Sequence, residues 1–418
     1  MTTDVDYSAM FTTGSAYVDQ DNWHAMAAEL RRNQPVVRIE KDGWHPFWVV
    51  TRHSDVMEIE RQHEIFHNTM FTILSSQESI RLRRETGTDV KTLVHMDGAE
   101  HTSYRGLTTD WFKAGAIRKT MGETVKELSR VYVDRMEQLS GSCDFAAEVA
   151  KWYPLRVILS ILGVPEEDEP RILRLAQQAF GTEDDEFGRD DAAAAQDMSG
   201  VLLEFMVYCN ELVERRRKNP TGDLASTLAN ATIDGEPLGV IETLSYFMIL
   251  MTAGHDTTSG ALAGGLAALI STPGALQRLH DEPALIDNAV EEILRWTSPV
   301  RTFVRVAQQD YVLHDVTIKA GDWVVLSYPS ANRDETVFDD PFRFDITRAN
   351  ASRSLAFGFG KHFCLGAQLA RMELRAFLSE LVSRVDNIEI SGPVQHSAGH
   401  IVSGVKHLPI SYTMRDNT

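Results

Sequence analysis

Phe357-Gly358-Phe359-Gly360-Lys361-His362-Phe363-Cys364-Leu365-Gly366, close to the C-terminus, decides how the rest of the chain is read. Residues 367–382 are rich in Leu, Ala, Arg and Glu and hold no Gly or Pro, so a helix is expected there. Cys364 thus stands at a helix start, where the partial positive charge of the N-terminus favours a thiolate. Gly358, Gly360 and Gly366 bracket it, as a backbone must if it turns tightly and lies flat against a large planar ligand. The other cysteines, Cys143 and Cys209, read as buried and inert.

A thiolate on such a loop suits the axial position of haem iron, where it pushes electron density toward O–O cleavage. The pattern Phe357-Gly358-x-Gly360-x-His362-x-Cys364-x-Gly366 resembles the haem-binding signature of cytochromes P450 at every defining position.

Working outward, 43% apolar content among 418 residues is ample for a large core. Length alone suggests two or three domains. With no Pro/Gly/Ser-rich linker, one domain over 1–418 is expected instead. Forty-one basic against 60 acidic residues give a net charge of −19. That balance excludes nucleic acid as a partner, since phosphate contacts need a basic stripe. Three cysteines make no disulfide framework. The N-terminus lacks a signal peptide's basic and apolar regions, and the most apolar stretch, Leu244 to Ala253, is about half a membrane span. A soluble, cytoplasmic protein with no membrane contact is the expectation.

Phe47 to Thr51 reads as a strand, followed by a helix from Ser54. His101 and Arg105, four apart, share one helical face; they can donate together to a carboxylate or form a solvated pair. Helical patterns run over 116–140, 144–163, 167–180 and 192–218. The acidic run 183–191 reads as a solvated loop. Leu238 to Leu269 reads as a long, apolar, central helix. Inside it, Ala253-Gly-His-Asp-Thr-Thr258 places Gly and Thr where a helix gains least from them. Gly followed by Thr permits a widened turn with room for a small molecule, or a Thr bonded to its own backbone. His255, rotated by about 100° per residue from its neighbours, reads as structural. Glu292 and Arg295, three apart, can pair. From Thr302 to Tyr328 the chain alternates as strands do, with turns at His314-Asp315 and Ala320-Gly321.

The P450 resemblance covers nearly the whole chain and implies a mainly α fold with smaller β-sheets and a long central helix. It implies haem b as cofactor, with Cys364 as axial ligand. His101, Arg105, Arg305 and His362 would clamp the two propionates, and Phe357, Gly358 and Gly366 would lie against the ring. Asp256 and Thr257 match the family's acid–alcohol pair, which hands protons to the reacting dioxygen. Glu292, Arg295 and Arg343 match its structural ion network. The resemblance also makes the acidic run the cap of a mobile lid over the substrate entrance. The reaction implied inserts one oxygen atom of O2 into a C–H bond.

Leu250, Ala253, Thr257, Val300, Thr302, Ile401 and Val402 would line a pocket for a small hydrophobic substrate. Arg301 either reaches into that pocket or points to solvent. Three passages, Ala253–Ser259, Arg295–Val300 and Leu326–Asp334, are similar to the branch that hydroxylates terpineol and related cyclic terpenoids. A steroid or aromatic hydroxylase, a peroxide-driven haem-thiolate enzyme and a non-catalytic haem protein are the alternatives. Without a fused reductase, electrons would come from a separate ferredoxin and its NAD(P)H-dependent reductase. Lys113, Arg118, Lys361 and Arg371 are the candidate basic contacts.

Overall fold

β-Branched and aromatic residues from opposite ends of the chain meet in one five-stranded sheet. In the computed structural model, which describes residues 6–87, 90–180, 184, 186, 191–399, 401–402 and 404–415, its strands are β1 (Val36–Ile39), β2 (Phe47–Val50), β3 (Phe66–His67), β4 (Thr302–Ala307) and β5 (Trp323–Ser327). Their order in space is β1-β2-β5-β4-β3. β5 runs parallel to β2, with Trp323 beside Phe47, and antiparallel to β4, with Ser327 opposite Thr302. Alternation then divides the sheet into two buried faces. Val49, Val304 and Val325 pack with Phe11 and Trp23, while Val50, Val324 and Leu326 pack with Ile59 and Leu355. The expected turns are present: His314 and Gly321 both have positive φ, 52° and 89°.

The rest of the core is helical. The helices that matter below are α1 (His53–Arg61), α2 (Gly98–Phe112), α3 (Val240–Ala253), α4 (Asp256–Ser271), α5 (Ile286–Thr297) and α6 (Ala367–Arg384). α6 packs along the Ala114–Gln138 helix and against α5, and α4 packs on α5 and on the Trp152–Ile161 helix. Leu262, Leu266, Ile293, Leu374 and Phe377 are buried in one packed cluster, which anchors α6, the helix that follows the Cys364 loop.

The central helix expected over 238–269 is interrupted. α3 stops at Ala253 and α4 begins at Asp256, leaving Gly254 and His255 as a two-residue lapse in the hydrogen-bond ladder. A side chain on Gly254 would meet Ile158 Cγ1 at 2.8 Å and Leu250 O at 3.0 Å, so only glycine allows the helices to approach this closely.

Of the acidic run 183–191, the structure describes Asp184, Glu186 and the start of the Asp191–Lys218 helix; the rest, and the lid expected there, lie outside the described residues. Asp184 is not solvated as expected. It is buried, accepting from Lys406 Nζ at 2.7 Å and Ala398 N at 2.8 Å. Glu186 pairs with His407 Nε2 at 2.9 Å. Among the described residues, no single helix is long and apolar enough to cross a membrane.

Candidate active site

One internal cavity, with a volume of about 240 Å³, lies between the α3–α4 lapse, the Cys364 loop and β4. The loop is shaped by its glycines. Gly358 and Gly360 have φ of +67° and +69°, and a side chain on Gly360 would meet Glu60 O at 2.6 Å. Cys364 N donates to Phe357 O at 2.9 Å, which turns the cysteine inward. Cys364 is exposed and lines the cavity. Burial pushes the Cys364 pKa up, although the backbone N–H groups of Gly366 and Ala367, with Arg105 and Arg371, pull the other way. The helix N-terminus thus favours the thiolate while desolvation opposes it.

Along one rim the cavity meets a polar row: Glu60, Asn68, His101, Arg105, Arg305 and His362. His101 and Arg105 share the inward face of α2, as their spacing predicts. The His101 ring lies 4.2 Å from that of His362, and Arg105 Nη2 donates to Phe363 O at 2.6 Å. Burial, and then His362 and Arg105, bring the His101 pKa down to about 4, so the ring is neutral at pH 7. Burial raises the Asp97 pKa, but hydrogen bonds from His362, Thr69 N and Asn68 N outweigh it and bring it to about 2. Three buried polar atoms on this rim, Glu60 Oε2, Asn68 Oδ1 and His101 Nδ1, have no hydrogen-bond partner among the described residues.

Such atoms are rare in a folded interior and imply a missing partner. Two flexible carboxylates fit beside the donors Arg105, Arg305 and, as its Nδ1–H tautomer, His101, whereas Glu60 Oε2 and Asn68 Oδ1 would each call for a proton or a donor. Phe357, Gly358 and Gly366 line the same cavity, and a side chain on Gly366 would meet no protein atom within 4 Å, leaving space for a flat ring. The residues present therefore fit haem b.

The lapse between α3 and α4 brings Leu250, Ala253, Gly254, Thr257, Thr258 and Ala261 to the cavity, on one helical face. Thr257 Oγ1 donates to Ala253 O at 3.1 Å across the lapse. Asp256 does not line the cavity. One helical residue is about 100° of rotation, which turns the carboxylate away. Instead Asp256 Oδ1 lies 2.9 Å from Nε2 of the buried His255, at an angle that makes no hydrogen bond. His255 faces away from the cavity.

Leu250, Ala253, Thr257 and Val300 meet in the cavity as expected, whereas Thr302, Ile401 and Val402 do not line it. Thr302 is three residues from Arg305 on one strand, so the pleat sends the two to opposite faces. Phe303, in phase with Arg305, takes the place given to Thr302 and was legible by the same count. Val402 forms a β-bridge with Val300, and Ile401 O accepts from Arg301 N at 2.7 Å. Arg301 neither enters the cavity nor reaches solvent: it is buried, its guanidinium 5.4 Å from the Tyr17 ring centre. Sequence reasoning also missed Glu60, Asn68, Phe112 and Ile158, which lie far from the quoted motifs.

Away from the cavity, Arg295 and Glu292 form a two-pronged, fully buried pair at 2.7 Å. The expected third member, Arg343, is displaced. Arg348 Nε reaches Glu292 Oε2 at 3.0 Å, while the Arg343 side chain is 65% exposed and pairs with Asp345. Arg343 supplies only its backbone carbonyl, to Arg348 Nη2 at 2.7 Å.

A family model described as Cytochrome P450 matches residues 184–391. The chain is 39% identical over 408 residues to Cytochrome P450-terp of a Pseudomonas species, across 95% of each protein. It is 30% identical over 392 residues to the steroid C26-monooxygenase of Mycolicibacterium smegmatis, across 92% of this chain and 90% of that one. Among solved structures, CYP108D1 from Novosphingobium aromaticivorans aligns with a TM-score of 0.90 at 36% identity, over 97% of this chain and 98% of that one. CYP268A2 of Mycobacterium marinum, in complex with pseudoionone, aligns with a TM-score of 0.88 at 29% identity, over 98% and 100%.

Proposed function

Because the chain belongs to the cytochrome P450 family of haem-thiolate monooxygenases, we propose that it hydroxylates a small, largely apolar cyclic compound of the terpenoid class. Haem b, once bound, supplies the oxidative chemistry, and the protein supplies its setting. Cys364 is the residue assigned to hold the iron from one side. His101, Arg105, Arg305 and His362 are assigned to the propionates. The observation that carries the substrate reading is the wall facing Cys364. There Phe112, Ile158, Ile249, Leu250, Val300 and Phe303 surround two hydroxyls, Thr257 and Thr258. Such a wall selects by shape and leaves one or two polar groups to orient the substrate. The three passages shared with the terpineol-hydroxylating branch support the class, and one structural neighbour holds pseudoionone.

Thr257 is assigned the hydroxyl nearest the chemistry. Its Oγ1–H is held by Ala253 O, and once the hydroxyl turns from that carbonyl it can release the proton toward the cavity while a lone pair accepts a replacement. Asp256, about one-third exposed, is assigned to refill it from solvent by way of water. Thr257→Ala should keep the cofactor but divert reducing equivalents to hydrogen peroxide; unchanged coupling of NADH use to product would remove Thr257 from this role.

Electrons are assigned to a separate ferredoxin docking near Cys364. Lys113 and Arg118 are exposed and suit such a contact. Arg371 does not, because it is held by both oxygens of Glu291 and stacks 4.6 Å from the Phe357 ring centre. Titrating the ferric protein with a panel of cyclic terpenoids, steroids and fatty acids, and following the haem spin state, tests the substrate class. Terpenoids should shift it at the lowest concentration; a response to steroids alone would overturn the class.

A further inference from the structure

Glu60 sits on the inner face of α1 with only 2% of its side chain exposed. Its two oxygens have different surroundings. Oε1 accepts from Arg305 Nη2 at 3.0 Å and from Tyr328 Oη at 2.9 Å, which fills both lone pairs. Oε2 lines the cavity rim and receives no hydrogen bond among the described residues. An ionised carboxylate would leave half its charge on a buried oxygen that no well-aligned donor among the described residues serves, at high cost. A carboxylic acid has no such problem. Its carbonyl oxygen takes the two donors, and its O–H points into the cavity, awaiting an acceptor. Burial accordingly raises the Glu60 pKa even though Arg305, Tyr328 and the Phe359 N–H act to lower it.

The neighbours decide what that acceptor is. Arg305 from β4, Tyr328 from the short Tyr328–Ala331 helix, Lys361 and His362 from the cysteine loop, and Glu58 and Arg61 on α1 itself are the titratable groups around Glu60. Arg305 is the buried cation shared between Glu60 and the cavity. A haem propionate arriving at Arg305 brings a second carboxyl to a pair that is already neutral when Glu60 is ionised. Two carboxylates beside one guanidinium cannot both stay charged cheaply, and one proton resolves the conflict.

We propose that Glu60 stays protonated in the haem-loaded protein and donates its Oε2–H to a haem propionate, leaving Arg305 to the propionate's charge. This makes Glu60 a positioning residue for the cofactor, and it rests on the haem-thiolate reading above.

Infrared spectroscopy of the ferric holoenzyme at neutral pH tests it. The wild type should show a protonated-carboxyl band that shifts in D2O and is lost in Glu60→Gln. A second such band, from the buried and unpartnered Glu373, should persist in Glu60→Gln and vanish in Glu373→Gln. Tyr328→Phe, which removes one donor from Oε1, should move the Glu60 band without abolishing it. A Glu60→Gln spectrum that retains every protonated-carboxyl band would show Glu60 ionised and overturn the proposal, as would a band that haem removal leaves at the same frequency. The red-shifted ferrous–CO absorption of the same samples reports separately on the haem-thiolate reading.

Discussion

The ion networks around Glu292 and around Arg305 are both deeply buried, and only the first is complete among the described residues. Around Glu292 each carboxylate oxygen is engaged, by Arg295, Arg348 and the backbone N–H of Asp345. Around Arg305 the acid is buried just as deeply, yet Glu60 Oε2 and the neighbouring Asn68 Oδ1 and His101 Nδ1 are left open. The closed network spans α5 and the 339–348 segment and needs nothing more; it fixes one geometry. The open one borders the cavity, and its unmet hydrogen bonds mark where a ligand completes the fold. Both acids are buried and paired with arginine. What separates structure from site is whether every polar atom is satisfied.

Breaking the closed network should have the largest effect. Arg348→Ala leaves Glu292 short of a cation in a dry site and should cost about 3–5 kcal/mol, read from denaturant unfolding of the holoprotein. Arg305→Leu should act differently, because Glu60 can answer the loss by taking a proton. It should weaken haem retention by roughly 10- to 100-fold, the worth of a charge-assisted hydrogen bond, while destabilising the fold less than Arg348→Ala. Transfer of haem to apomyoglobin measures the retention. Arg343→Ala, at the position expected from sequence to complete the closed network, should change stability by no more than about 0.5 kcal/mol. A surface cluster marks the weak end. The hydrogen bond that His407 donates to Asp144 raises its pKa above the usual 6.5, despite some burial, and a second to Glu186 adds to this. A raised pKa stabilises the fold fully below pH 6.5 and stops doing so as pH rises through the raised value. His407→Gln should flatten the wild-type stability profile across that window.

Much of the site was legible because its residues obey local rules. A glycine-bracketed cysteine before a helix, two donors four apart on α2, and a Gly–Thr defect in an apolar helix each announce themselves within a few residues. What was missed depends on packing between distant segments. Glu60 looks like an ordinary surface charge near the end of α1; it is buried because Gly360, lacking a side chain, lets the cysteine loop close over its backbone. Arg343 and Arg348 differ by five residues in an irregular segment, where no period tells which guanidinium turns inward. Thr302 is an error of phase, and counting residues from Arg305 along the strand corrects it.

The central claim is that the Cys364 sulfur is the protein's grip on haem iron. The most direct test is the absorption spectrum of the ferrous–CO complex of the wild type beside Cys364→Ser. A red-shifted Soret band in the wild type, lost in the variant with haem still present, is the predicted result. The same band persisting in Cys364→Ser, or absent from haem-loaded wild type, would contradict the account.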